Sequence, residues 1–149
     1  MAQKSKGALV QDYMTTQMAT ISQNKSVLDV AKKMVKGPIS SVAITDNSDK
    51  IIGILTERDI VKVVANGIPP DGVTTSSLMT QPLVSISKDS SLEEAARFMA
   101  LKKIRHLLVR DIHSQVVVGI VSLTDLARYI RHTVPAEQTL SSEVWELFF

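Results

Sequence analysis

Displaced by 65 positions, this sequence falls on itself. Residues 14–34, MTTQMATISQNKSVLDVAKKM, lie over residues 79–99, MTQPLVSISKDSSLEEAARFM, so that Met14 meets Met79, Ile21 meets Ile86, Ser26 meets Ser91, Ala31 meets Ala96 and Met34 meets Met99. Further on, ISSVAITD (39–46) matches IRHLLVRD (104–111), and after one extra residue GILTERD (53–59) matches GIVSLTD (119–125). An internal repeat dictates the architecture before any single residue does. A unit of about 60 residues buries too little apolar surface to stand well alone, so the expectation is one domain built from two repeats. The boundaries read as repeat 1 over 8–66, a linker over 67–77, repeat 2 over 78–132 and an aromatic tail over 133–149.

Each copy carries the same order of periodicities. A short strand (18–22; 83–87) leads into a helix whose apolar residues stand three and four apart: Val27, Val30, Ala31, Met34 and Val35, then Leu92, Ala95, Ala96, Met99 and Ala100. Two β-branched strands follow (41–45 with 51–55; 106–110 with 116–121), joined by the polar turns DNSDK and DIHSQ. A second helix closes each copy (57–66; 123–132). The fold class is therefore α/β (α+β), with two β-α-β-β-α repeats. Between them NGIPPDGVTTSS has the Gly and Pro content of a connection.

Composition narrows the class of function. Apolar residues make up 44% and charged residues 21%, as in an ordinary folded domain, and the absence of cysteine removes disulfides and thiolate metal sites. A net charge of +2 does not by itself argue for nucleic acid. No apolar run reaches the roughly 20 residues of a membrane span, and MAQKSKGALVQDYM does not read as a secretory signal. The expectation is a soluble, cytoplasmic protein. His106, His113 and His132 lack ligand spacing, and neither a phosphate loop nor a nucleophile elbow is present, so no catalytic centre or metal site is expected.

The duplicated GI(L/V)(T/S)xxD supports two readings. A hydroxyl followed three residues later by an acid is a capping box, and Thr56 with Asp59, Ser122 with Asp125, Ser26 with Asp29 and Ser91 with Glu94 all fit it. Binding is the other reading. The acid is aspartate in both later pairs, a length suited to gripping two ribose hydroxyls and poorer for capping. The hydroxyl also emerges where a buried strand meets a helix N-terminus, a place that favours anions. Gly53 and Gly119 lie inside strands, which suggests that something approaches the backbone closely, an adenine ring at a strand edge being one possibility.

In duplicate, these motifs resemble a tandem pair of CBS domains (cystathionine-β-synthase-type modules) over roughly residues 10–131. The resemblance implies repeats that pack through their sheets about a pseudo-two-fold axis and leave two clefts for adenosine-containing ligands: AMP, ADP or ATP, or S-adenosylmethionine or NADH. It also implies that each cleft draws on both repeats. One would combine Thr56, Arg58 and Asp59 with Val84, Ser85, Arg105 and His106; the other would combine Ser122, Thr124 and Asp125 with Ala19, Thr20, Ser40 and Ser41. Asp59 and Asp125 would hold ribose, Thr56 and Ser122 would reach ribose or α-phosphate, and Arg105–His106 would meet phosphate. Because Ser40–Ser41 and Thr124 replace Arg105–His106 and Arg58 in the second set, unequal sites are expected, with phosphorylated ligands preferred at Asp59.

The resemblance further implies a homodimer, and a regulatory, non-catalytic role exerted on a partner chain. Two other readings stay open: an interaction scaffold with vestigial clefts, docking through Trp145, Leu147, Phe148 and Phe149, and a nucleic-acid binder using its basic residues. LKKIRH (101–106), Arg128 and Arg131 read as a solvated helix end or a basic patch.

Overall fold

The computed structural model describes residues 7–79 and 83–133. Along the chain run α1 (Val10–Tyr13), β1 (Thr20–Ser22), α2 (Val27–Lys36), β2 (Ser41–Thr45), β3 (Ile51–Thr56) and α3 (Glu57–Ala65). A 3-10 turn at Pro70–Gly72 and α4 (Thr75–Leu78) follow, then β4 (Ser85–Ser87), α5 (Leu92–Lys102), β5 (His106–Arg110), β6 (Val117–Ser122) and α6 (Leu123–Thr133). The architecture is mixed α/β with two three-stranded sheets, ordered β1-β2-β3 and β4-β5-β6. In each sheet the first strand is parallel to the second and the second antiparallel to the third. None of the described helices is long and apolar enough to cross a membrane.

The β-α-β-β-α order of each repeat is as the periodicities predict, and β2 and β5 have the predicted bounds. Both sheets also share an irregularity. Ile44 pairs with Gly53 but Thr45 with Ile51, and Val109 pairs with Gly119 but Arg110 with Val117, so one residue is skipped in each third strand.

The chain forms two compact units, and they do not coincide with the two halves of the sequence. Residues 7–16 belong with the segment that begins at Ser85, while the first sheet belongs with the segment running from Gln17 to Val84. In the second unit, Val10 N donates to Ser90 O (2.8 Å), Leu92 N donates to Ala8 O (3.0 Å), and Thr15 and Ile120 exchange backbone hydrogen bonds at 2.8 and 2.9 Å. In the first unit, residues 67–77, expected as a linker, make structure of their own. Val27 N donates to Val73 O at 2.8 Å. Thr75 is fully buried, with its hydroxyl donating to Ser22 O at 2.9 Å.

The core of the first unit joins Val30 and Met34 of α2, Val42 and Ile44 of β2, Leu55 of β3, and Met79. Alternation along β2 also buries Ala43, so both faces of this middle strand are covered. In the second unit the corresponding buried residues are Leu92, Ala95 and Met99 of α5, Leu107, Leu108 and Val109 of β5, and Val121 of β6; Val10 and Leu126 are buried too. Past Thr133, the expected aromatic tail lies outside the described residues.

Candidate functional site

Each unit turns a corner from its third strand into its last helix, and the duplicated motif occupies that corner. Thr56 is the last residue of β3 and the N-cap of α3. Its N–H donates to Asp59 Oδ2 at 2.9 Å, and its hydroxyl donates to the same oxygen at 3.1 Å. At the second corner Ser122 N and Ser122 Oγ donate to Asp125 Oδ2 at 2.8 and 3.0 Å, and Asp125 N donates back to Ser122 Oγ at 3.4 Å. Ser26 with Asp29 and Ser91 with Glu94 do the same at α2 and α5.

Capping is therefore realised at all four helices, and aspartate performs it at three of them. Aspartate, read from the sequence as the poorer capping acid, makes the bond at each of these corners. A one-carbon stem suffices because the N-cap residue is extended while the acid lies on the first helical turn, which brings carboxylate and N-cap amide together. Capping does not exhaust a carboxylate, however, which has about four lone-pair sites. At Asp59 only Oδ2 is engaged; among the described residues Oδ1 accepts no hydrogen bond.

At Asp125 the second oxygen is taken. Arg128 Nη2 lies 3.1 Å from Asp125 Oδ1. The same nitrogen donates to Tyr13 O at 2.8 Å, and the guanidinium carbon stands 5.7 Å from the centre of the Tyr13 ring. Tyr13 in turn meets Tyr129 edge-on, with ring centres 5.3 Å apart. Asp125 is only 5% exposed, whereas Asp59 is half-buried. Arg128 is exposed on α6, as a solvated helix residue would be, and its guanidinium is also tied to Asp125 and Tyr13. The position that matches it in the first repeat is Lys62, an exposed residue with no ion pair among the described residues.

The two strand glycines have an internal cause. A β-carbon on Gly119 would stand 2.8 Å from Thr15 O and 2.9 Å from Met14 Sδ; on Gly53 it would stand 2.8 Å from Met79 Sδ. What approaches these backbones is the chain's own methionine-bearing segment, which corrects the expectation of an adenine ring there. At Ile120 the strand edge is closed outright by its pairing with Thr15.

Within the first unit, Ser41 pairs with Thr56, and Glu57 N donates to Ser40 O at 3.1 Å, so Ser40 and Ser41 adjoin the Asp59 corner. Thr20 lies on β1 against Ala43, whose N–H donates to Ala19 O at 2.8 Å. Arg58 is exposed on the first turn of α3 and has no ion pair among the described residues. Val84 is half-buried at the end of this unit's segment.

In the second unit, His106 pairs with Ser122, and Leu123 N donates to Arg105 O at 2.9 Å, so Arg105 and His106 adjoin the Asp125 corner by their backbones. Thr124 is exposed beside it, and Ser85 begins β4 opposite Leu108. The Arg128 clamp escaped the sequence reading. Its one signal was a cation three residues after Asp125, a helical spacing that brings side chains together.

Comparison with known proteins fits this architecture. The family model described as "CBS domain" matches twice, over residues 10–66 and 76–132. The CBS domain-containing protein YhcV of Bacillus subtilis is 38% identical over 79% of this chain and 82% of its own length. Protein MK0525 of Methanopyrus kandleri is 36% identical over 79% of this chain, which spans 62% of that protein. Among solved structures, the CBS domain pair of protein MJ0100, in complex with 5′-methylthioadenosine and S-adenosyl-L-methionine, superposes with a TM-score of 0.74 at 29% identity, covering 84% of this chain and 97% of that one. Two family matches, two sheets of one topology and a capped aspartate at the same corner of each converge: this chain belongs to the CBS-domain family and carries the domain as a pair.

Proposed function

We propose that this chain is a non-catalytic regulatory module that binds an adenosine-containing ligand at its strand-to-helix corners. The observation that carries the reading is Asp59: its capping bond occupies one carboxylate oxygen and leaves the other as an acceptor for ribose hydroxyls, so that ligand binding costs the helix nothing. Thr56 stands at the same corner, and Arg58 supplies an exposed guanidinium one residue from Asp59 for a phosphate group. The CBS pair of MJ0100 supports the ligand class, since both molecules bound there are adenosine derivatives. AMP, ADP, ATP and NADH carry the phosphate groups that Arg58 favours; S-adenosylmethionine, which has none, completes the set to be tried.

The regulatory part of the proposal is a second chain. Val35 of α2 is 84% exposed, and Val61 and Val64 of α3 are also exposed, an apolar surface suited to a homodimer or to a regulated partner. A ligand acts on such a partner only through its different affinity for the two arrangements.

Calorimetric titration with AMP, ADP, ATP, NADH and S-adenosylmethionine tests the reading. Saturable binding of at least one, lost in Asp59→Asn, is the expected result. Binding by none, or binding indifferent to Asp59, overturns it and leaves an interaction scaffold.

A further inference from the structure

The two corners differ in one respect that their shared motif conceals. At Asp125 both carboxylate oxygens are spoken for, Oδ2 by the N-cap serine and Oδ1 by Arg128. The clamp is fastened a second time, because Arg128 Nη2 also donates to Tyr13 O, and Tyr13 stands against Tyr129. At Asp59 the matching position is Lys62, and no described residue meets Oδ1.

We propose that Arg128 is a built-in competitor for the second corner: its guanidinium takes the place at Asp125 that a ribose hydroxyl would take, so the chain answers ligand first, and at ordinary concentrations only, through Asp59. A guanidinium already bonded to a carboxylate must be displaced before a sugar can enter. Both bonds are charge-assisted by the carboxylate, but the guanidinium is charged as well and is held a second time by Tyr13 O, so it has the advantage over a hydroxyl. The corners are therefore unequal for a reason within the second unit itself, separate from the placement of Arg105 and His106. Displacement of Arg128 would also free Tyr13 O, so occupancy of this corner is linked to the hold on residues 9–16. The inference rests on the reading of Asp59 and Asp125 as ribose-binding groups.

The test is the number of ligands bound per chain, measured by calorimetry with AMP, ATP and S-adenosylmethionine in turn, on the wild type, Arg128→Gln and Lys62→Arg. The wild type is expected to bind one equivalent, or a second at least about tenfold more weakly. Arg128→Gln is expected to bind two, the second being lost again in Arg128→Gln/Asp125→Asn. Lys62→Arg leaves the second unit untouched and installs the guanidinium opposite Asp59; it is expected to weaken the first equivalent by about tenfold. Circular dichroism of Arg128→Gln checks that the fold persists, and Lys62→Arg decides the matter if it does not. Two equal sites in the wild type overturn the inference, as does one site in both the wild type and a folded Arg128→Gln, and either result leaves the ribose reading standing. Binding by none of the proteins removes that reading and this inference together.

Discussion

The carbonyl oxygen of Thr15 lies 2.8 Å from where a β-carbon would stand on Gly119. This oxygen is also fixed by Ile120, whose N–H donates to it at 2.9 Å. Gly53 faces a softer neighbour, the sulfur of Met79 at 2.8 Å, with its Cβ and Cγ at 3.1 and 3.2 Å. Gly119→Ala is therefore expected to lower stability by about 2–3 kcal/mol and Gly53→Ala by about 1 kcal/mol. Denaturant unfolding of the two variants checks the order. Truncating Met14 should rescue Gly119→Ala little, because the backbone obstacle remains.

The capping boxes at α2 and α3 permit a controlled comparison. Asp29→Asn and Asp59→Asn each weaken a helix start and are expected to lower the melting temperature. Only Asp59→Asn is expected to abolish ligand binding, so thermal unfolding and calorimetry on the pair separate the helix from the ligand.

Asp111 provides a pH signature. Lys88 Nζ lies 2.7 Å from its Oδ2, and the N–H groups of Ser114 and His113 also donate to the carboxylate. The Lys88 bond foremost, then these two amides, hold Asp111 well below the ordinary 3.8. A depressed carboxylate pKa stabilises the fold above the unfolded value and loses that contribution as pH falls through the folded one. The melting-temperature gap between wild type and Asp111→Asn should accordingly be constant near neutrality and narrow below pH 3.8. Lys88 is raised above 10.5 by the same bond. Its share is present below that pH and disappears as pH rises through the raised value.

Thr75→Val keeps the shape of a fully buried side chain and removes its hydroxyl. Ser22 O retains the N–H of Lys25 as a donor at 3.1 Å, so the loss should be modest, about 1 kcal/mol. Its measure is the unfolding free energy against Thr75→Ser, which is expected to keep the bond.

The sequence announced the repeated elements because local signals coincide there. Val27, Val30 and Met34 recur at helical spacing behind Ser26, and β2 is a short apolar, β-branched run bounded by a polar turn. It was silent on α1 and α4, each four residues long, since neither spans enough turns to show a period. It also misassigned the cause of the glycines. Gly53 reveals that something is close, but Met79 is 26 positions away, and no local pattern names the neighbour. The site residues were legible as a corner. That Asp59 keeps a spare oxygen while Asp125 does not depends on Arg128 reaching Tyr13 across 115 positions, a contact only the fold creates.

Residues 9–16 precede the first unit in the chain, yet their long-range hydrogen-bonding partners, from Lys88 to Arg128, all follow it. The first unit draws only on Gln17–Val84, whereas the opening segment cannot complete its pairing until the chain has been made past Ile120. A fragment cut to the second repeat as the sequence draws it, residues 78–132, would lack Val10, Met14 and Thr15 and expose the strand edge at Ile120. What the chain places ahead of the first unit belongs, in space, to the second.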